Sequence, residues 1–268
     1  MLKLKIMKIA VTGKGGVGKT TLSAILSYLF VKDGRRVIAV DADPDANLAQ
    51  ALGVSQSEID KIRPIADMPD LIEERTGARP GGMGAVFKLN PRVDDLPEGI
   101  GYAIDGITLM VMGKSKSASS GCYCPENILL KRLLKHLFVE RDEVVVVDME
   151  AGIEHLTRGT TEAMDAFIVV VEPGQRSIQT AKTIRDMAEG LGVKKVFVVA
   201  NKVRNEADRE FLREHLAGME ILGFLGFNPG VMDADLTGIP PFDRSPEVVR
   251  EVAEIKQKLE GRLFSEQA

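Results

Sequence analysis

The sequence predicts an α/β fold, a doubly wound and mostly parallel sheet of about seven strands with helices on both faces. Three observations carry this. Short runs of Val, Ile, Leu and Ala alternate along the chain with longer runs whose apolar residues recur at helical spacing. The apolar content is aliphatic, with no Trp and 5% aromatic residues within 44% hydrophobic, as strands covered on both faces require. Thr12 to Thr21 then joins a strand to a helix through a glycine-rich loop. The 268 residues contain no repeat and no linker long enough to divide them, so residues 1–268 are expected to form one domain.

The first strand is read at Lys8 to Val11, and Met7 offers a second start just before it. Thr12-Gly13-Lys14-Gly15-Gly16-Val17-Gly18-Lys19-Thr20-Thr21 follows, matching the Gly-x-x-x-x-Gly-Lys-Ser/Thr pattern of a phosphate cradle. Glycines let successive N–H groups turn inward, Lys19 reaches the outer phosphates, and the Thr20 hydroxyl can ligate magnesium. Leu22, Ile25, Leu26, Leu29 and Phe30 then line one face of a helix closed by Asp33-Gly34. Arg36 to Val40 reads as the second strand and ends in Asp41-Ala42-Asp43-Pro44-Asp45-Ala46-Asn47. Carboxylates at every second residue of a strand end suit a site that handles a cation or water, while an acidic loop with an Asx helix cap fits the residues alone. Their place one strand after the phosphate loop favours the first reading.

Two short helices are expected at Glu58 to Arg63 and Pro69 to Arg75, and Pro91 and Pro97 keep the next stretch irregular. Ile107 to Met112 is an apolar strand. A Gly/Ser/Lys loop containing Lys114 and Lys116 delivers Cys122-Tyr123-Cys124-Pro125, with Pro125 opening a helix striped by Leu129, Leu130, Leu133, Leu134, Leu137 and Phe138. Val144 to Val147 is the next strand, ending in Asp148 and Glu150. Strand–helix pairs follow at Ala166 to Val171 with Ser177 to Leu191, and Lys195 to Ala200 with Glu206 to Leu216. Ile221 to Phe227 is the last strand. Ser245 as cap and Pro246 open the final helix. The phosphate loop, Asp41 to Asp45, Asp148 and Asn201 thus all follow strand C-terminal ends, where open α/β sheets bind ligands.

Asn201-Lys202-Val203-Arg204 begins like the guanine-reading Asn-Lys-x-Asp, but Arg204 cannot accept the N–H groups of guanine. ATP is therefore favoured over GTP, with Asn201 available to the adenine amino group; the alternative is that Asn201 merely ends a strand. The formal charge of −4 argues against nucleic acid as a partner, and no run of about 18 apolar residues argues against a membrane span. Two cysteines, one residue between them, form no disulfide framework, and a cytoplasmic location is expected. One Cys-x-Cys supplies half of a four-ligand zinc or nickel site, and none of His136, His155 and His215 is spaced to complete it. A two-fold axis beside Cys122 and Cys124 would gather four thiolates, whereas two small buried apolar side chains is the plainer alternative.

Lys14 within Gly-Lys-Gly-Gly-Val-Gly-Lys-Thr, Asp43 in Asp-x-Asp-Pro, and Asp148-x-x-Ala-Gly-Ile-Glu resemble the deviant phosphate-loop box and switch regions of the MinD/ParA/nitrogenase iron-protein group of P-loop ATPases. The resemblance implies an Mg-dependent ATPase in which two subunits sandwich two ATP molecules. Lys14 would cross to the partner's phosphates, Asp43 would orient the attacking water, Asp148 would hold magnesium through water, and Asp41 would support them. Glu150 stands where such proteins often carry Pro. Within the group, Cys122-Tyr123-Cys124-Pro125-Glu126 and Asp148 to His155 are most similar to the CooC type, which assists nickel insertion into carbon monoxide dehydrogenase. That implies a homodimer, one Ni2+ or Zn2+ held by Cys122 and Cys124 of both chains, and carbon monoxide dehydrogenase as client. Acetyl-CoA synthase or another nickel enzyme is the alternative client. A ParA-like partition motor would want a basic surface, and a MinD-like membrane switch a basic amphipathic tail; the chain shows neither.

Overall fold

The computed structural model describes residues 6–81, 86–113, 124–150, 161, 163–193 and 195–264. Its centre is a sheet of eight strands: β1 (Lys8–Gly13), β2 (Val37–Ala42), β3 (Tyr102–Ile104), β4 (Ile107–Val111), β5 (Val144–Met149), β6 (Ala166–Val171), β7 (Val196–Val203) and β8 (Glu220–Gly226). They run in the order β3-β4-β2-β5-β1-β6-β7-β8, all pairings parallel except β3 with β4. β1, β2, β5 and β6 are buried along their whole length, which is why their sequences are nearly continuous in Val, Ile and Ala.

Alternate residues of each strand feed opposite layers. Ala10, Ile38, Val40, Val145, Val147, Phe167 and Val169 pack with α6 (Pro125–Val139), α7 (Gln175–Gly190) and Leu212 of α8 (Glu206–His215). Ile9, Val11, Val37, Ala39, Val146 and Ile168 pack with α1 (Lys19–Lys32) and α11 (Pro246–Phe264). This is the two-faced arrangement the alternation of strand and helix patterns predicts.

Eight strands stand where about seven were expected. The added one, β3, forms a hairpin with β4 through Asp105 (φ 44°) and Gly106 (φ 86°), and both positive φ angles are those of a two-residue turn that Asp-Gly favours. Several short helices also lie outside the expected set: α2 (Leu48–Ala51), α5 (Leu96–Ile100), α9 (Pro229–Thr237) and α10 (Pro241–Arg244). The helix expected at Glu58 to Arg63 is instead α3 (Gln56–Ile59), followed by a 3₁₀ turn at Ile65–Asp67 before α4 (Pro69–Thr76). Pro64 keeps Arg63 out of the helical region, though α3 has already ended at Ile59.

Ser245 is a second correction. Its carbonyl accepts the Val249 N–H at 3.1 Å and so starts the helix, but its buried hydroxyl has no hydrogen-bond partner. The hydroxyl packs over Gly230, where a Cβ would lie 2.7 Å away, rather than over the helix amides. No helix among the described residues is long and apolar enough to cross a membrane.

Candidate functional site

β1, β5 and β2 end flush, with Val11 beside Asp148 and Asp148 beside Asp41 in the ladder. Register therefore places two carboxylates side by side at the exit of β1, where the chain enters the glycine-rich loop. Gly13 (φ 146°) has no room for a side chain, because a Cβ there would meet the Val170 carbonyl at 2.3 Å. Gly18 (φ 96°) adopts the left-handed conformation at the N-cap of α1, and a Cβ there would meet Asn201 Nδ2 at 2.2 Å. The loop Gly13, Lys14, Gly15, Gly16, Val17, Gly18 thus delivers Lys19, Thr20 and Thr21 to a helix N-terminus whose free N–H groups suit phosphate.

A cleft of about 700 Å³ opens over this loop, with Lys19, Thr20, Asp43 and Asn201 on its floor and Phe227 and Met232 among the residues of its far wall. Lys19 is 6% exposed and its Nζ lies 3.7 Å from Asp43 Oδ2, so the ammonium and the carboxylate face one another across the phosphate position. Asp41 is fully buried and shapes the acidic loop. Its Oδ1 accepts the Asp43 N–H at 3.2 Å and its Oδ2 the Leu48 N–H at 2.9 Å, which fixes where Asp43 points and starts α2. Asn47 precedes that short helix but gives no side-chain cap; its amide instead donates to the Asp45 carbonyl at 2.6 Å.

Burial pushes Asp148 up to about 7, with Asp41 beside it adding to the rise, while a Thr20 hydrogen bond works the other way. Burial likewise raises Asp41 to about 6, against the N–H groups of Leu48 and Asp43. Asp148 Oδ1 lies 3.4 Å from the Ser23 hydroxyl, and Oδ2 is buried without a hydrogen-bond partner. An orphaned carboxylate oxygen next to the Thr20 hydroxyl is a donor set that fits a hydrated magnesium ion.

These shifts give a pH dependence. A carboxyl with a raised folded pKa binds its proton more tightly folded than unfolded, so stability is fullest below about pH 4 for this term and falls as pH rises toward 7. Asp148→Asn should remove that decline and raise the melting temperature of the nucleotide-free protein at pH 8, while abolishing magnesium-dependent turnover. Thermal melts of both proteins from pH 5 to 8 check it; parallel curves would contradict the buried-carboxylate account.

Asn201 is at the floor of the cleft, but its Nδ2 donates to the Val17 carbonyl at 2.8 Å and its Oδ1 accepts the Lys202 N–H at 2.8 Å. It braces the phosphate loop, leaving one of its N–H donors for a base edge. Lys14 is half-buried, with no side-chain partner among the described residues. Cys124 is 7% exposed at the N-cap of α6, immediately before Pro125. Cys122, Lys114, Lys116 and His155 lie outside the described residues, and among those described no three of His, Cys, Asp and Glu gather around a metal position.

Three residues join the site in roles that the motifs did not assign. Thr12 donates to the Glu150 carbonyl at 2.7 Å, tying the entry of the phosphate loop to the segment after Asp148. Lys202 Nζ donates to the Gly16 carbonyl at 2.6 Å and lies 3.2 Å from Glu172 Oε2. Lys202 stood inside the Asn-Lys pair and Thr12 opened the phosphate-loop stretch already noted, whereas Glu172 carried no local signal.

Residues 8–242 match the family described as the CobQ/CobB/MinD/ParA nucleotide binding domain. The chain is 47% identical over 240 residues to the carbon monoxide dehydrogenase accessory protein CooC of Rhodospirillum rubrum, covering 90% of this chain and 91% of that protein. It is 46% identical over 252 residues to an uncharacterized ATP-binding protein of Methanocaldococcus jannaschii, covering 93% and 96%. Among solved structures, the MinC:MinD cell division complex of Aquifex aeolicus contains a chain matching at a TM-score of 0.69 and 21% identity, covering 95% of this chain and 96% of that one, a likeness of fold. With the phosphate loop, the flush carboxylates and these matches in agreement, the chain belongs to the CobQ/CobB/MinD/ParA nucleotide-binding family and is an ATPase of the MinD/ParA type.

Proposed function

We propose that the protein is an accessory ATPase that dimerises around ATP and assists nickel insertion into carbon monoxide dehydrogenase. The observation that carries this reading is the 47% identity to CooC along 90% of the chain, coupled to a cleft lined by Lys19, Thr20, Asp43 and Asn201. Lys19 neutralises the outer phosphates, releasing Asp43 to orient water. Thr20 and Asp148 would hold magnesium, which would supply charge neutralisation to the phosphates. Lys14, unpaired within its own described chain, reaches the phosphates bound by a second copy. Nickel is cargo, carried between two chains by Cys122 and Cys124 of each, four thiolates in all.

Nickel-free carbon monoxide dehydrogenase mixed with this protein, nickel and ATP should gain activity faster than with nickel alone, and Lys14→Ala should remove that gain while still binding ATP. Lys14→Ala should also sediment as a monomer with ATP where the wild type forms a dimer. A normal ATP dimer in that variant would end the cross-subunit role. Activation of nickel-free acetyl-CoA synthase instead would reassign the client.

A further inference from the structure

We propose that Lys202 and Glu172 form a positioning pair that sets the phosphate loop for nucleotide before nucleotide arrives. The inference rests on the family's nucleotide cleft and concerns two residues that lie outside its phosphate-loop motif. Two consecutive carbonyls of the loop are held from the end of β7: Gly16 O by Lys202 Nζ at 2.6 Å, and Val17 O by Asn201 Nδ2 at 2.8 Å. In a planar trans peptide the C=O and the following N–H point in opposite directions. Holding the Gly16 carbonyl outward therefore turns the Val17 N–H inward, and holding the Val17 carbonyl does the same for the Gly18 N–H. The Val17 N–H so turned donates across the loop to the Lys14 carbonyl at 3.4 Å and closes the turn, which leaves the Gly18 N–H for phosphate. Side chains behind the loop thus set both its turn and the direction of that amide.

Glu172 keeps the ammonium in place. Its Oε2 lies 3.2 Å from Lys202 Nζ, and its own N–H is anchored by the Ser177 hydroxyl at 3.0 Å, so the carboxylate starts from a fixed point at the end of β6. Lys202 itself has φ 56°, one of two non-glycine residues with positive φ among those described. That conformation costs on the order of 1 kcal/mol for a residue with a Cβ. It turns the side chain back over the loop, and a residue retained at that cost is explained by what its ammonium holds. Lys202 also borders the cleft, where its charge adds to that of Lys19.

The left-handed backbone makes the test clean, because glycine accepts φ 56° without strain. In the full-length chain, Lys202→Gly should leave the melting temperature of the nucleotide-free protein at or above that of the wild type. The dissociation constants for Mg-ATP and Mg-ADP, by calorimetry, should both rise about tenfold, as loss of a charged hydrogen bond predicts. KM for ATP should rise in parallel with kcat nearly unchanged, because the loop shape is needed equally in the ground and transition states. Lys202→Arg should recover part of the affinity, and Glu172→Gln should lose less than Lys202→Gly. Wild-type affinity in Lys202→Gly, or a fall in kcat at constant KM, would overturn the pair's role while leaving the cleft's assignment intact. A wild-type chain that bound no adenine nucleotide would overturn both.

Discussion

Lys19→Ala should bind ATP at least about a hundredfold more weakly than the wild type and hydrolyse none. The ammonium sits 6% exposed at the first position of α1, with the anionic Asp43 as its one ion-pair partner among the described residues. When phosphate enters, that partner is exchanged for phosphate oxygens, and the charge-assisted bonds formed in a water-poor cleft contribute about 3 kcal/mol. Removing the lysine also leaves Asp43 facing an incoming polyanion with nothing between them, so repulsion adds to the loss. Folding is a separate effect to be read beside binding, because the pair is largely buried and the substitution leaves Asp43 without its counter-charge. Calorimetry with Mg-ATP, alongside a thermal melt, measures both. Binding within tenfold of the wild type would mean that the helix N-terminus and the loop amides hold the phosphates without the lysine.

If the shared thiolate site proposed above holds, the wild type should bind one nickel or zinc ion per dimer, and the double substitution Cys122→Ser with Cys124→Ser should abolish that binding and leave ATP affinity unchanged. Cys124 stands at the N-cap of α6, immediately before Pro125. Two thiolates from one chain leave half of a tetrahedral or square-planar set unfilled, so tight binding should appear only in the dimer. Metal affinity should then differ between the ADP and ATP forms, and by linkage metal should strengthen the dimer by the same factor. Equilibrium dialysis with each metal, read against sedimentation, gives the stoichiometry. One ion per isolated monomer, or an unchanged titration in the double variant, would leave the cysteines as packing residues.

Much of the site is written in local sequence because it is built at strand ends. Lys19, Thr20 and Asp148 fall where a phosphate loop and a buried Val run must put them; Asp41, still within β2, is buried, while Asp43, just past the strand's end, lines the cleft. Local pattern is poorer where a residue's partner is remote in sequence. Glu172 and Lys202 meet only because β6 and β7 are paired, and Asn201 spends one donor on Val17 for the same reason. The strand β3 was within reach of the sequence, since Asp105-Gly106 is a hairpin signal, but a three-residue edge strand has too little apolar pattern to stand out. Ser245 shows the opposite failure, a strong capping signal whose hydroxyl is diverted by packing against Gly230.

The pairing of β1 has a consequence for synthesis. Both of its neighbours, β5 and β6, come from the second half of the chain, so the first strand made waits for Val144–Met149 on one side and Ala166–Val171 on the other. A ribosome-bound chain that already carries the whole phosphate loop has no floor beneath it, and Asp148, Asn201 and Lys202 have yet to arrive. Nucleotide therefore cannot act as an early folding template for this protein; it can reward only a chain whose long-range parallel pairings are already made.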